Sequence, residues 1–210
     1  TGKKNMKSIL IFIAGLITGV VLLIGGGYVA VKYASNMAED YQFDLSPEIN
    51  EKLYKSAAEL ASAKTEYEKW VAFGDVGLWN VDNGSIEKAG LFANEVLTLA
   101  EKYKDDWNYG NAIHKGHLTL GRIALRENNV EEAKRQLILA GKTPGSPQLS
   151  SFGPNMILAM ELLEKGETDV VLEYLDLCKV FWTMSMDKLT IWKSKISNGE
   201  VPSFGANILY

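Results

Sequence analysis

The chain has 210 residues, 47% of them hydrophobic and 23% charged, with a formal net charge of −4, a composition typical of folded rather than disordered chains. All 26 acidic residues lie beyond residue 35, against 18 of the 22 basic ones, so this part carries −8 and suits neither nucleic acid nor anionic lipid headgroups. The single cysteine, Cys178, excludes an internal disulfide and a cysteine-based metal framework; its apolar helical setting, LEYLDLCKVFW, makes it a small core residue.

Ile9 to Val31 is a run of 23 residues without a charge, in which Thr18 is the one non-aromatic polar side chain. As a helix it would reach ~34 Å at ~1.5 Å per residue, enough for a ~30 Å hydrocarbon core. Lys3, Lys4 and Lys7 precede the run and Lys32 alone follows it before the acids Glu39, Asp40 and Asp44, which by the positive-inside bias puts the N-terminus in the cytoplasm. The sequence therefore predicts a short cytoplasmic N-terminus (1–8), a transmembrane helix (9–31), a connector (32–46) and an extracytoplasmic domain (47–210), in a bacterial periplasm. A cleaved secretory signal is the rival reading. The run exceeds the usual ~7–15 residue signal core, and cleavage after Ala30 or Ala34 would put Tyr28 or Lys32 where a small residue is needed, although Gly25 and Gly27 could serve. Along the span, Gly15, Gly19, Leu22, Gly26 and Ala30 recur at steps of 4, 3, 4 and 4, a stripe that lets a second helix approach closely. The glycines equally suit a membrane helix that has no partner.

The connector is too brief to hold the domain far from the bilayer. Ser46-Pro47-Glu48 then opens an amphipathic helix, with Ile49, Leu53, Ala57, Leu60 and Ala61 on one face as far as about Tyr67. No strand-like alternation competes with helical periodicity from there to the C-terminus, so the domain is expected to be all-α.

Within it a spacing repeats. Gly121, Asn128 and Ala133 stand 7 and then 5 residues apart, as do Gly77, Gly84 and Ala89 before them and Ala159, Gly166 and Val171 after. A small residue lets helix A approach helix B, a Gly or Asn takes the left-handed position of the turn, and the third residue sits at the crossing on helix B. The run LGRIALRENNVEEAKRQLILA from Leu120 to Ala140, closed by Pro144 and Pro147, resembles the tetratricopeptide (TPR) unit. Met156 to Cys178 resembles it moderately and Trp70 to Ala100 weakly. The offsets of 44 and 38 residues depart from the family's 34, and His117 stands at its helix A tryptophan position. The resemblance implies an α-solenoid of about three hairpins with capping helices, whose A helices line a groove. The positions matching the family's groove sites are Lys115, Leu118, Arg122 and Arg126 in the central unit, with Met156, Met160 and Leu163 in the third. The three cations would suit an acidic or C-terminal peptide segment, or merely solvate a helix face. Charge reversal at Arg122 and Arg126 is then expected to weaken partner capture without lowering the melting temperature.

The longer offsets place insertions at Glu101 to Gly110 and at the loop Gly141 to Pro154. Val180 to Ile196 is expected to form a capping helix. The apolar tail VPSFGANILY should dock on the domain, and its Ser-Phe-Gly echoes Ser151-Phe152-Gly153.

Reaction chemistry is not expected. His114 and His117 share a helix face, but a zinc site needs further ligands and no HExxH is present; packing or partner contact is the default role. No serine has a G-x-S-x-G context, and the acidic pairs Asp105-Asp106 and Glu131-Glu132 read as solvated faces. No catalytic residue, metal ligand or cofactor is assigned. The expected function is a membrane-anchored interaction module, an adaptor or assembly factor; the alternative is a stoichiometric structural subunit joined through the glycine-striped helix, as a homo- or hetero-oligomer.

Overall fold

The computed structural model describes residues 47–82 and 85–209. The expected span 9–31, with Gly15, Gly19, Leu22, Gly26 and Ala30, lies outside these residues, as does the turn glycine Gly84. Among the described residues no helix is long and apolar enough to cross a membrane.

The described chain is all-α. Its helices are α1 (Pro47–Ser62), α2 (Glu66–Asn80), α3 (Ile86–Ala100), α4 (Tyr109–Arg126), α5 (Val130–Gly141), α6 (Pro147–Phe152), α7 (Ile157–Glu164), α8 (Thr168–Phe181) and α9 (Lys188–Ser197), with 3-10 turns at Glu101–Tyr103 and Gly205–Ile208. Packing follows chain order as far as α5, with α1 on α2, α2 on α3, α3 on α4 and α4 on α5; α5 then packs on α8 and α8 on α9, α7 lies against α4, α5 and α8, and α4 also meets α2 and α6.

The first helix is shorter than its periodicity suggests. It stops at Ser62 rather than near Tyr67 because Thr65 starts a new one: its Oγ1 accepts from Glu68 N at 3.1 Å and Glu68 Oε2 accepts from Thr65 N at 2.9 Å. This reciprocal capping box satisfies two N–H groups that a helix start leaves unpaired, and its Thr-x-x-Glu signature was readable. The loop after Gly141 likewise hides a helix, α6, where Ser146 Oγ accepts from Leu149 N at 3.0 Å ahead of Pro147. The expected helix from Val180 to Ile196 is broken between Phe181 and Lys188, because the 2%-exposed Trp182 turns back into the core and Met186 takes a left-handed φ of 50°.

The hairpin turns follow the spacing rule where they are described. Asn128 has φ 60° and Gly166 φ 83°, and Asn129 N and Glu167 N reach back to Ala124 O (2.8 Å) and Leu162 O (3.0 Å), closing the preceding helices. At the central crossing, a Cβ on Gly121 would lie 3.1 Å from Gln136 Cβ and 3.4 Å from Ala133 O and would strike Leu158. The small residue is what lets α4 meet α5 and α7 together.

The core is one cluster, from Leu53 on α1 through Trp70, Val76 and Trp79 on α2, Leu118 on α4, Leu137 on α5, and Tyr174 and Cys178 on α8, to Trp192 on α9. Cys178 is fully buried and burial pushes its thiol up, as its apolar setting implied. At the start of α4 the backbone of Gly110 meets that of Gly145, whose carbonyl fills the space a Cβ would need. Gly110→Ala is therefore expected to cost at least roughly 1–3 kcal/mol through overpacking against rigid backbone. Thermal melting followed by circular dichroism checks it, and an unchanged Tm would refute so close an approach.

Candidate functional site

The seven residues matched to a groove divide into a charged and an apolar set; the apolar set lies in or against the core, and of the charged set Arg122 is buried, Lys115 partly buried and Arg126 exposed. Leu118 and Met156 are 0% exposed and Leu163 8%, while Met160 is partly buried against the core. On α4, steps of 3, 4 and 4 put Lys115, Leu118, Arg122 and Arg126 on one face. That face looks toward α2 and α7, from which acids reach it.

Lys115 Nζ donates to both oxygens of Asp75 on α2, at 2.6 and 2.7 Å. Arg122, 1% exposed, grips two carboxylates. Its Nη1 donates to Asp82 Oδ2 at 3.0 Å and Nη2 to the other oxygen of Asp82, while Nε donates to Glu161 on α7 at 3.2 Å and Nη2 to the same residue at 2.9 Å. A further bond from Nη1 to Leu78 O at 3.2 Å leaves this planar five-donor group well matched. Arg126 Nη2 adds a 2.8 Å bond to Glu161. Burial opposes the charge on Arg122, but Asp82 and Glu161 outweigh it and raise its pKa. Burial likewise pushes the Glu161 carboxyl up, and Arg122 and Arg126 prevail, holding it below its ordinary range.

Three cations thus meet three acids, Asp75, Asp82 and Glu161, and the seam joins the first, second and third hairpins. This corrects the expected free basic stripe. Because Arg122 is buried between two carboxylates, reversing its charge must also lower the melting temperature, contrary to expectation. The acids were missed because they are distant in sequence: the pairs are 35 to 40 residues apart. A faint signal existed, since those separations are close to the repeat offset.

His114 and His117 are both hydrogen-bonded within the fold. His114, 1% exposed, has Nδ1 3.2 Å from Ala140 O, and its Nε2 accepts from Asn155 N at 3.2 Å. A neutral ring with the proton on Nδ1 meets both partners. Burial lowers its pKa from 6.5 to about 4, with the Ala140 carbonyl opposing and Lys115 and His117 assisting. His117 Nδ1 lies 2.7 Å from Gln136 Oε1, and burial lowers its pKa too. Among the described residues no group of three or more His, Cys, Asp or Glu side chains is gathered as metal ligands.

A second built feature lies where the tail docks. Asn207, 0% exposed, donates from Nδ2 to Phe152 O and Pro154 O, both at 3.0 Å, and its carbonyl accepts from Met156 N at 2.7 Å. Phe204 packs edge-on against Trp192 at 5.0 Å, and Trp192 lies 5.6 Å from Trp182. The repeated Ser-Phe-Gly thereby finds a physical account. Gly153 (φ 90°) and Gly205 (φ 56°) are both left-handed; a Cβ on Gly153 would strike the Trp182 indole, while Phe204 covers Trp192. The two tripeptides flank one tryptophan pair.

No family model matches the chain, and no curated protein or solved structure matches it either.

Proposed function

We propose that the chain is a membrane-anchored interaction module: a TPR-like array of helical hairpins, held outside the cytoplasm by the helix expected at 9–31, that binds a protein partner. The observation that carries this reading is the hairpin arrangement, with α1 to α5 packed in chain order, left-handed turns at Asn128 and Gly166, and a close crossing at Gly121. Such arrays present extended surfaces to other chains. A binding rather than catalytic role agrees with a site whose cations and imidazoles are engaged by the fold's own acids, amides and carbonyls.

The internal pairing of Lys115, Arg122 and Arg126 favours one second reading, a stoichiometric structural subunit of a larger membrane assembly. An adaptor with a partner that comes and goes would need groove side chains that this seam holds in place. Crosslinking in intact membranes, mild detergent extraction and mass analysis separate the two. A fixed-stoichiometry complex that falls apart on Gly15→Leu, Gly19→Leu is the result expected of a structural subunit. Substoichiometric partners on the outer domain, indifferent to those changes, are expected of an adaptor. Recovery of the chain without any partner would overturn both.

A further inference from the structure

The tail is held as a bound peptide is held. Pro202, Phe204 and Asn207 are buried while Ser203, Gly205 and Ala206 between them are exposed, so separate side-chain anchors alternate with solvated positions. The polar contacts are the inserted Asn207 amide, whose Oδ1 also accepts from Lys188 Nζ at 3.4 Å, and two backbone carbonyls, Asn207 O accepting from Met156 N and Ile208 O from Asn155 Nδ2 at 3.5 Å, which a segment with an asparagine at that point could reproduce. The stretch leading to the tail, residues 197–201, is exposed throughout; Gly199, with φ 79°, closes α9, and Glu200 N–H donates to Lys195 O at 3.0 Å, so the tail can lift away only beyond this cap, at Val201.

Two observations mark the cleft as more than a resting place for a chain end. Trp182, 2% exposed, has an Nε1–H without a hydrogen-bond partner. Its indole lies against Gly153 in the cleft wall, and this buried donor is one that a visiting acceptor would satisfy. Beside the cleft, the segment after α8 turns Met184 (63% exposed) and Met186 (89%) outward, Met186 in the left-handed conformation an unbranched side chain seldom takes. Met184 is tied by its N–H to Ser150 O at 3.1 Å, close to the half-exposed Phe152. Methionines at such a rim adapt to varied apolar partners.

We propose that the cleft formed by residues 152–156, Trp182 and Trp192 is a peptide-recognition site, closed by the chain's own tail, that takes a partner segment presenting an aromatic side chain and, three residues later, an asparagine. This rests on the reading of the chain as an interaction module and names the segment it would recognise. Binding proceeds by exchange: the visitor's aromatic ring replaces Phe204 on Trp192, its amide takes the Phe152 and Pro154 carbonyls, and a further acceptor reaches Trp182.

The probe is a labelled peptide of the tail's own sequence, EVPSFGANIL, added to the full chain and followed by fluorescence anisotropy. The Phe204→Ala, Asn207→Ala chain, with its own strap weakened, should bind it about tenfold more tightly than the natural chain, the scale of one buried hydrogen-bonded anchor. A peptide with alanine in place of its asparagine should lose about the same factor. A variant that keeps its helical circular dichroism and binds no better than the natural chain overturns the proposal. Should the variant not fold, amide exchange on the natural chain decides: the Met156 amide must exchange at least about tenfold faster than that of Leu175 in α8, through a local opening. Equal protection of the two, lost only on global unfolding, would make the tail a permanent part of the core. Partners crosslinked in membranes despite either negative result would leave the interaction-module reading standing without this cleft.

Discussion

Arg122→Met is expected to lower stability by roughly 3–5 kcal/mol, because it removes the buried cation shared by Asp82 and Glu161 and leaves them only the more exposed Arg126, 2.8 Å from Glu161 and 3.8 Å from Asp82. The pair is of the kind whose intact form contributes little over an apolar substitute but whose half-removal is severe, since the remaining charges stay desolvated. Urea unfolding with the slope checked for constancy is the measurement. The triple change Arg122→Met, Asp82→Asn, Glu161→Gln should recover most of the loss, as it removes the stranded charges along with their partner. A loss below about 1 kcal/mol for Arg122→Met would mean that the cluster behaves as a solvated surface pair, contradicting the 1% exposure of the guanidinium. Arg126, whose side chain is 36% exposed, should be several times more tolerant of the same change, which gives an internal control on one helix.

Acidification should destabilise the domain well before its carboxylates are titrated. His114 has a folded pKa of about 4 against an ordinary 6.5, so the unfolded chain binds the proton more tightly than the folded one. The stability this neutral ring secures is complete above about pH 6.5, falls as the pH drops toward 4, and totals roughly 3 kcal/mol over that window. His117 is lowered in the same direction and adds to the slope. The depressed Glu161 contributes stability that is present above the ordinary carboxylate pKa and lost only as the pH falls through its lower folded value, so it is silent between pH 7 and 5. Urea midpoints at pH 7.5 and 5.0 for the natural chain and His114→Gln test this. The variant should be weaker at pH 7.5 and show a markedly flatter pH dependence. An undiminished slope would mean that the proton goes elsewhere.

The all-α character of the described residues and the hairpin turns at Asn128 and Gly166 were legible because they rest on local chemistry: helical periodicity, and Asn or Gly where the chain must turn left-handed. Helix α6 and the Thr65 cap were missed, although Ser-Pro and Thr-x-x-Glu are local signals for them; a continuous apolar pattern masked the break at Ser62. The site was only half readable. Periodicity places Lys115, Arg122 and Arg126 on one face of α4, as found, but whether that face meets solvent or acid depends on which helices lie opposite. Asp75, Asp82 and Glu161 come from 35 to 40 residues away, and nothing within a helical window announces them. Trp182 likewise looked like the middle of a long helix; its turn into the core follows from the shape of the Trp192 and Gly153 surroundings, a tertiary preference that overrides local propensity.

The reach of Arg122 also orders events during synthesis. As the chain leaves the ribosome, Asp82 waits 40 residues for its cation, and that cation waits another 39 for Glu161. Until the third hairpin emerges, the second cannot bury its arginine against both acids, and a nascent chain stopped short of Glu161 holds a guanidinium with half its partners. Helical arrays often grow stepwise from one end. Here the middle of the domain is finished by what is made after it, so fragments ending before Glu161 are expected to be targets for quality-control proteases.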